Sequence, residues 1–348
     1  MCNKINKNQW VGMKFRNLPY YNYSAMWNNL VTVRFDKGEV MELPPDKSEF
    51  YDVSLGNKCT TGNCPFCYVA AKANGKYYEG ICETWKKWMA TYADKYTVGS
   101  DNCLTLKPLQ IAVGSEGEPL EHPDICDFLK TVYETNVVPN YTTNGVILSY
   151  WDKPGSDYYE KANRILEATA KYCGGVAVSF GNKALRSHAK DAIRGLIEKG
   201  DCHVMIHHII SDMESVDEFV ECWKEYGEQI KNHVLLPLMP SGRSKKGIEN
   251  NVFEYMENAI EENNIKNVAF GAHFIKYLEK SDKIKTWLYP AESYSKNVLL
   301  KKDKVVITPS SFNLSPIMEI DLSEVTDEEN TDTKNVDNIL EGEDEASF

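Results

Sequence analysis

The sequence predicts an α/β protein built on a parallel sheet, and three observations predict it. Six short apolar runs occur from residue 51 onward. Longer amphipathic stretches separate them. Six β-then-α units in succession imply parallel strands joined by helical crossovers. The chain has 348 residues, 42% of them hydrophobic and 26% charged, enough material for one large core. Periodicity alone leaves an open doubly wound sheet and a barrel equally available.

The runs are 51–55, 109–113, 137–142, 175–180, 203–210 and 233–239. Helices are predicted at about 78–95, 123–135, 157–173, 184–199, 215–230 and 251–263. In 184–199, Ala189, Ile193, Leu196 and Ile197 fall on one face, the period of a helix. Before this series, 31–43 alternates apolar and polar residues about Asp36-Lys37-Gly38 and reads as a β-hairpin. After it, 268–274 adds one more strand, and 294–308 reads as a second hairpin turning at Lys302-Asp303. The expected division is an N-terminal hairpin with an aromatic-rich lead-in (1–49), a core (50–245), a C-terminal appendage (246–318) and an acidic tail (319–348).

The net charge of −12 argues against a nucleic-acid partner only until it is located. From Glu319 to Phe348 there are 12 acidic residues and one lysine, Lys334, so the tail carries −11 and the rest −1. High charge with little apolar content predicts disorder there. No apolar run approaches the roughly 18 residues of a membrane span, and MCNKINKNQW lacks the apolar stretch of a secretory signal. Ten cysteines without such a signal read as thiols of a reducing compartment, so a cytoplasmic protein is expected.

Cys59-Thr-Thr-Gly-Asn-Cys64-Pro-Phe-Cys67 places three thiols on one loop directly after the first strand of the series. Soft sulfur ligands select iron–sulfur clusters, zinc or copper(I). Zinc wants a fourth ligand, yet Cys82, Cys103, Cys126 and His122 each stand alone. A [2Fe–2S] site could draw on Cys103 by position, but the surroundings lack a ferredoxin's β-rich pattern. A cluster with one iron left open accounts best for three cysteines. Next, Gly114-Ser-Glu-Gly-Glu118-Pro119 follows the second strand, a glycine turn where backbone approaches a ligand and a carboxylate meets a cationic amine.

In this combination the sequence resembles the radical S-adenosylmethionine (radical SAM) superfamily. The resemblance rests on the cysteine loop with Phe66 before its last cysteine, the Gly117-Glu118-Pro119 turn, and Tyr141-Thr142-Thr143-Asn144-Gly145 after the third strand. Gly175 to Phe180, His207 to Ile210 and Leu236 to Arg243 follow in the family's order. It covers roughly residues 50–245, with four residues rather than three between the first two cysteines and Glu116-Gly117 in place of a glycine pair.

The resemblance implies a partial (β/α)6 TIM-like barrel, with every candidate residue near the C-terminal strand ends where such folds bind ligands. It implies that Cys59, Cys64 and Cys67 bind a [4Fe–4S] cluster whose open iron chelates S-adenosylmethionine. Gly117, Glu118 and Pro119 would position its amine, Phe66 its adenine, and Thr143, Asn144 and Ser179 its ribose or carboxylate. The implied reaction is reductive cleavage to a 5′-deoxyadenosyl radical that abstracts hydrogen from an unknown substrate, a peptide or protein being slightly favoured over a nucleotide or small molecule. A flavodoxin- or ferredoxin-like electron donor is implied as partner.

Other residues keep two readings. His207 shares a strand face with His203 and Met205, with His208 opposite; it either touches S-adenosylmethionine or substrate or is a bonded core histidine. Arg243, Lys245 and Lys246 either hold an anionic substrate or form a solvated loop. Trp10, Tyr20, Tyr21, Tyr23 and Trp27 cover the barrel opening or plug it. Cys126, Cys173, Cys202 and Cys222 read as buried small hydrophobes, and no cysteine after Cys222 supplies an auxiliary-cluster extension. The rival function is a non-catalytic iron–sulfur redox or sensing protein, and a zinc-binding structural domain is a third.

Overall fold

The apolar runs become strands and the amphipathic stretches become helices in a computed structural model. It describes residues 24–26, 32–34, 50–61, 63–91, 108, 110–135, 137–230, 232–249, 251–265, 268–271, 274, 295–311 and 313–325. Strands β1 (Ser24–Met26) and β2 (Thr32–Arg34) pair antiparallel. The N-terminal hairpin thus uses the segment before residue 31 as its partner. The turn expected at Asp36-Lys37-Gly38 and the aromatic lead-in residues lie outside the described residues, as does Cys103.

Seven parallel strands follow: β3 (Phe50–Ser54), β4 (Gln110–Val113), β5 (Val138–Thr143), β6 (Gly175–Ser179), β7 (His203–Ile210), β8 (Asn232–Pro237) and β9 (Val268–Phe270). The helices between them are α1 (Ile81–Ala90), α2 (Ile125–Glu134), α3 (Tyr159–Tyr172), α4 (Arg186–Lys199), α5 (Met213–Tyr226) and α6 (Val252–Glu262). The C-terminal hairpin, β10 (Ser295–Lys301) and β11 (Lys304–Thr308), turns at Lys302-Asp303 as expected. Strand β10 lies parallel beside β3, and β12 (Met318–Asp321) closes that edge against β11. One ten-stranded sheet results, in the order β12-β11-β10-β3-β4-β5-β6-β7-β8-β9.

Two boundaries differ from expectation. The segment 246–318 is no separate appendage, because α6 and β9 extend one edge of the sheet while β10 and β11 extend the other. The acidic tail does not begin at 319: Glu319 to Asp321 belong to β12, Glu319 pairs with Lys304, and Leu322 is fully buried. Alternating Met318 and Ile320 supply the strand pattern that charge counting hides. Residues 326–348 lie outside the described residues.

Alternation gives each strand two different faces. Tyr51, Val53, Ile111, Val113, Tyr141, Val176, Val178 and Ile206 turn toward the helices and are buried in one apolar cluster. Trp85 and Trp88 of α1 wedge into it, Trp88 at 5.2 Å from the Tyr51 ring and Trp85 at 6.0 Å from Phe128. The other face carries Asp52, Gln110, Asn140, Thr142, Ser179, His203, His207 and Asn232, which the strand register places side by side. A sheet that spends its apolar residues on the helices and keeps polar ones inward is built to surround something polar.

Candidate functional site

The three-cysteine loop leaves the C-terminal end of β3 and is fastened on all sides. Cys59 N–H donates to Lys72 O at 2.9 Å, and Asn57 N–H to Lys76 O at 3.0 Å, which folds the loop back on itself. Glu121 accepts from Thr60 twice, from its N–H at 2.9 Å and its hydroxyl at 2.6 Å. From β5, the Asn144 side-chain amide donates to Thr61 Oγ1 at 2.9 Å and lies 3.9 Å from Cys59 Sγ. From the exit of β6, Asn182 Nδ2 donates to Cys64 Sγ at 3.1 Å. From the exit of β8, Arg243 donates its N–H to Cys67 O at 3.0 Å and its guanidinium to the Cys64 and Ala71 carbonyls. Loops from β3, β5, β6 and β8 therefore meet at one mouth.

Two glycines permit these close approaches. Gly242 has φ +61°, and a Cβ there would sit 2.3 Å from Cys67 O. Gly117 has φ +69°, and its Cβ would sit 2.5 Å from Lys58 O. Left-handed backbone costs other residues about 1–2 kcal/mol before any clash is counted. Glu118 N–H donates to Lys58 O at 2.8 Å, and Tyr68 Oη to Ser115 O at 3.0 Å, so the glycine turn and the cysteine loop form one unit. Glu116, where the resemblance expects glycine, needs no left-handed φ and accepts a hydrogen bond from Ser54 Oγ at 2.9 Å.

Glu118 is buried and its carboxylate is fully engaged. It accepts from Thr143 Oγ1 at 2.7 Å, from Asn144 N–H at 2.8 Å and from Leu120 N–H at 3.3 Å. Burial nevertheless pushes its pKa up to about 7, against the pull of those three donors. The side chains of Glu118 and Thr143 thus tie β4 to β5 beneath the site, and Pro119, also buried, starts the turn below. Ser179 and His207 are register partners on the inner face, at the same end. His207 Nε2 is enclosed with no hydrogen-bond partner, and burial pushes this imidazole down to about 4, so it is neutral. Phe66 lies half-buried between Cys64 and Cys67.

The sequence residues are thereby brought together at one end of the sheet. Sequence reasoning missed Glu121 and Asn182, which lie two residues beyond a recognisable segment, and Ser54, which ends β3; none carries a spacing signal of its own. Arg243 serves the cysteine loop instead of facing solvent, and Lys245 is exposed beside it. His122 is a core histidine, bonded to Tyr78 O at 3.0 Å and to Asp124 N–H at 3.1 Å.

The donor set fits an iron–sulfur cluster. Cys59, Cys64 and Cys67 are free, partly exposed thiols on one loop, the soft sulfur donors that such clusters select. Of the buried polar atoms without partners, Ser115 Oγ and His207 Nε2 lie toward the C-terminal strand ends, whereas Gln110 Nε2, Asn140 Oδ1 and Asn232 Oδ1 lie toward the N-terminal ends of their strands. Buried polar atoms are ordinarily satisfied, so the two at the mouth fit a polar ligand there.

No protein-family model matches the chain, and no curated protein does. Among solved structures, SuiB of Streptococcus suis bound to the precursor peptide SuiA superposes with a TM-score of 0.51 at 17% identity, over 77% of this chain and 60% of that one. SuiB is a radical SAM enzyme. This chain has the radical SAM fold. The S-adenosylmethionine-bound structure of SuiB gives a TM-score of 0.49 at 18% identity, over 75% of this chain and 60% of that one. The chain thus spans about 60% of the length of SuiB. Within the radical SAM fold, the mouth described above lies at the C-terminal strand ends, where α/β sheets and barrels gather their ligand sites. Among the described residues, no helix is long and apolar enough to cross a membrane.

Proposed function

We propose that this protein is a radical SAM enzyme that acts on a peptide or protein. The observation that carries the reading is the convergence of Asn144, Asn182 and Arg243, from three different strand exits, on one loop with three thiols. When bound, a [4Fe–4S] cluster and S-adenosylmethionine supply hydrogen abstraction through reductive cleavage of the sulfonium. Cys59, Cys64 and Cys67 are the three ligands. Burial pushes the Cys59 thiol up to about 11, so cluster assembly must take up the cost of removing its proton.

The remaining residues bind and exclude. The backbone of Gly117 to Pro119 presents the methionine amine site, with Glu118 holding that turn to Thr143 and Asn144. Phe66 packs beside the adenine, and Ser179 offers a hydroxyl to the ribose or carboxylate. His207, neutral and without a partner, hydrogen-bonds to cofactor or substrate. A peptide is the proposed substrate class because such modification is a common use of this fold, and SuiB is bound to its precursor peptide. A small flavodoxin- or ferredoxin-like protein is the proposed electron donor.

The test is anaerobic reconstitution of the full chain, followed by dithionite and S-adenosylmethionine. Formation of 5′-deoxyadenosine is the expected result. A sample carrying a complete cluster that makes none is a redox carrier or sensor, and the reading fails. A Cys59→Ala/Cys64→Ala/Cys67→Ala variant should lose the brown colour, and a retained cluster would show the ligands to be wrong.

A further inference from the structure

The helix-covered face of the same sheet holds a second group of metal-ligand side chains. His208 of β7 and His233 of β8 point to that face, with His208 Nε2 at 3.1 Å from His233 Nδ1 and the rings 11° from parallel. Cys222 of α5 comes down onto them. One ligand atom from each of the three lies within 4.8 Å of the others, and all three residues are buried. Phe219 walls the group at 5.1 Å from the His208 ring, and Phe180 at 5.9 Å.

A helix–sheet interface of this kind is normally aliphatic, as it is beside Val178 and Ile206. Here it buries two imidazoles whose single mutual hydrogen bond leaves His233 Nε2 with no partner. Among the described residues the Cys222 thiol makes no hydrogen bond. Orphaned buried groups of this sort are costly unless something binds them. Burial keeps both imidazoles neutral, pushing His233 down to about 4 and His208 well below its ordinary value, which is the state a metal ligand requires. It also pushes the Cys222 thiol up to about 12, so the thiol keeps its proton until an ion displaces it to solvent.

We propose that His208, Cys222 and His233 form a second metal site, for one thiophilic ion, Zn2+ or Cu+, between the sheet and α5. Two ring nitrogens and one thiolate are the donors that such ions select. The thiolate brings one negative charge, so Cu+ makes the site neutral, whereas Zn2+ leaves one positive charge in the core and wants a fourth ligand. Arg186, paired with Glu218 at 2.8 Å, adds positive potential at His208, which favours the ion of lower charge there, while Glu225 adds negative potential at Cys222. The site lies on the helix-covered face of the sheet, whereas the three-cysteine loop sits at the C-terminal strand ends, and it does not depend on the function proposed for that loop.

The experiment uses the full chain in the Cys59→Ala/Cys64→Ala/Cys67→Ala background, so that loop thiols take up no metal. Chelator-treated protein is equilibrated anaerobically with Zn2+ or with Cu+, and bound metal is counted. One equivalent of one of these ions is expected, with a rise in the thermal midpoint of about 5 °C at saturation. Adding Cys222→Val, which keeps an apolar side chain of similar size, should abolish both effects. With Co2+ as probe, a thiolate charge-transfer band should form and be absent in Cys222→Val. The same difference of one non-iron metal per chain is expected between wild type and Cys222→Val when the background variant fails to fold. Failure of both ions to bind, or equal binding by Cys222→Val, overturns the site.

Discussion

Asn182 donates its side-chain amide to the Cys64 sulfur at 3.1 Å while its Oδ1 accepts from Ala184 N–H at 3.0 Å. The side chain is held at both ends, so the bond to sulfur is preset by the turn after β6. An N–H donor favours the more negative form of a cluster bound at that sulfur and raises its reduction potential. Asn182→Leu should lower the potential by about 40 mV, the equivalent of about 1 kcal/mol for one electron. A redox titration followed by electron paramagnetic resonance reads the shift directly. Identical midpoints in variant and wild type would remove Asn182 from the tuning of the site.

The β8 exit closes the mouth by main-chain contact, which makes Gly242 a sensitive position. Its φ of +61° and the 2.3 Å that a Cβ would leave to Cys67 O require the loop or the turn to move. Gly242→Ala should reduce iron incorporation by half or more while leaving the far-ultraviolet circular dichroism of the sheet and helices unchanged. Arg243→Met removes the guanidinium bonds to the Cys64 and Ala71 carbonyls, for about 1–2 kcal/mol, and should give a milder loss. Iron retention equal to wild type in both would show that the β8 exit does not hold the loop.

The strands were legible in the sequence because each one is short, apolar and bounded by turn residues. Val176 and Val178 against Ala177 and Ser179 already announce a two-faced strand. The three thiols were legible because their spacing is local. What could not be read was any partnership across the chain: Asn182 meets Cys64 over 118 residues, and Arg243 meets Ala71 over 172. Cys222 shows the same limit from the other side. Alone on an amphipathic helix it reads as a small hydrophobe, and only the register of β7 and β8 brings His208 and His233 to it. Strand β12 was hidden because Glu319 and Asp321, its outward residues, are counted as tail charge.

The glycine turn separates a required residue from a replaceable one. Gly117 sits at φ +69° with Lys58 O in the place of a Cβ, whereas Glu116 needs no special conformation. Gly117→Ala should cost about 2–4 kcal/mol, combining the left-handed penalty with the displacement of Lys58. Glu116→Gln keeps a partner for Ser54 Oγ and should stay within about 0.5 kcal/mol of wild type. Urea unfolding midpoints of the two variants give the comparison. A Gly117→Ala protein as stable as Glu116→Gln would mean that the turn is free to rearrange.

Glu118 makes the fold sensitive to pH in a direction unusual for a carboxylate. Burial raises its folded pKa to about 7, above the ordinary 4.5, so the folded state binds the proton more tightly than the unfolded chain. The associated stability is fully present below about pH 4.5 and is lost as pH rises through about 7. A gap of about 2.5 units corresponds to about 3 kcal/mol across that window. The buried imidazoles of His207 and His233, whose values are lowered, act in the opposite sense, losing stability as pH falls, so the wild-type curve alone does not isolate Glu118. Glu118→Gln cannot titrate, and its amide nitrogen faces the Asn144 N–H, so it should be less stable than wild type at pH 5 by about 1–3 kcal/mol. The difference between the two proteins should shrink or reverse by pH 8. Urea unfolding of both at pH 5 and pH 8 decides the matter, and a constant difference would mean that Glu118 is ionised throughout.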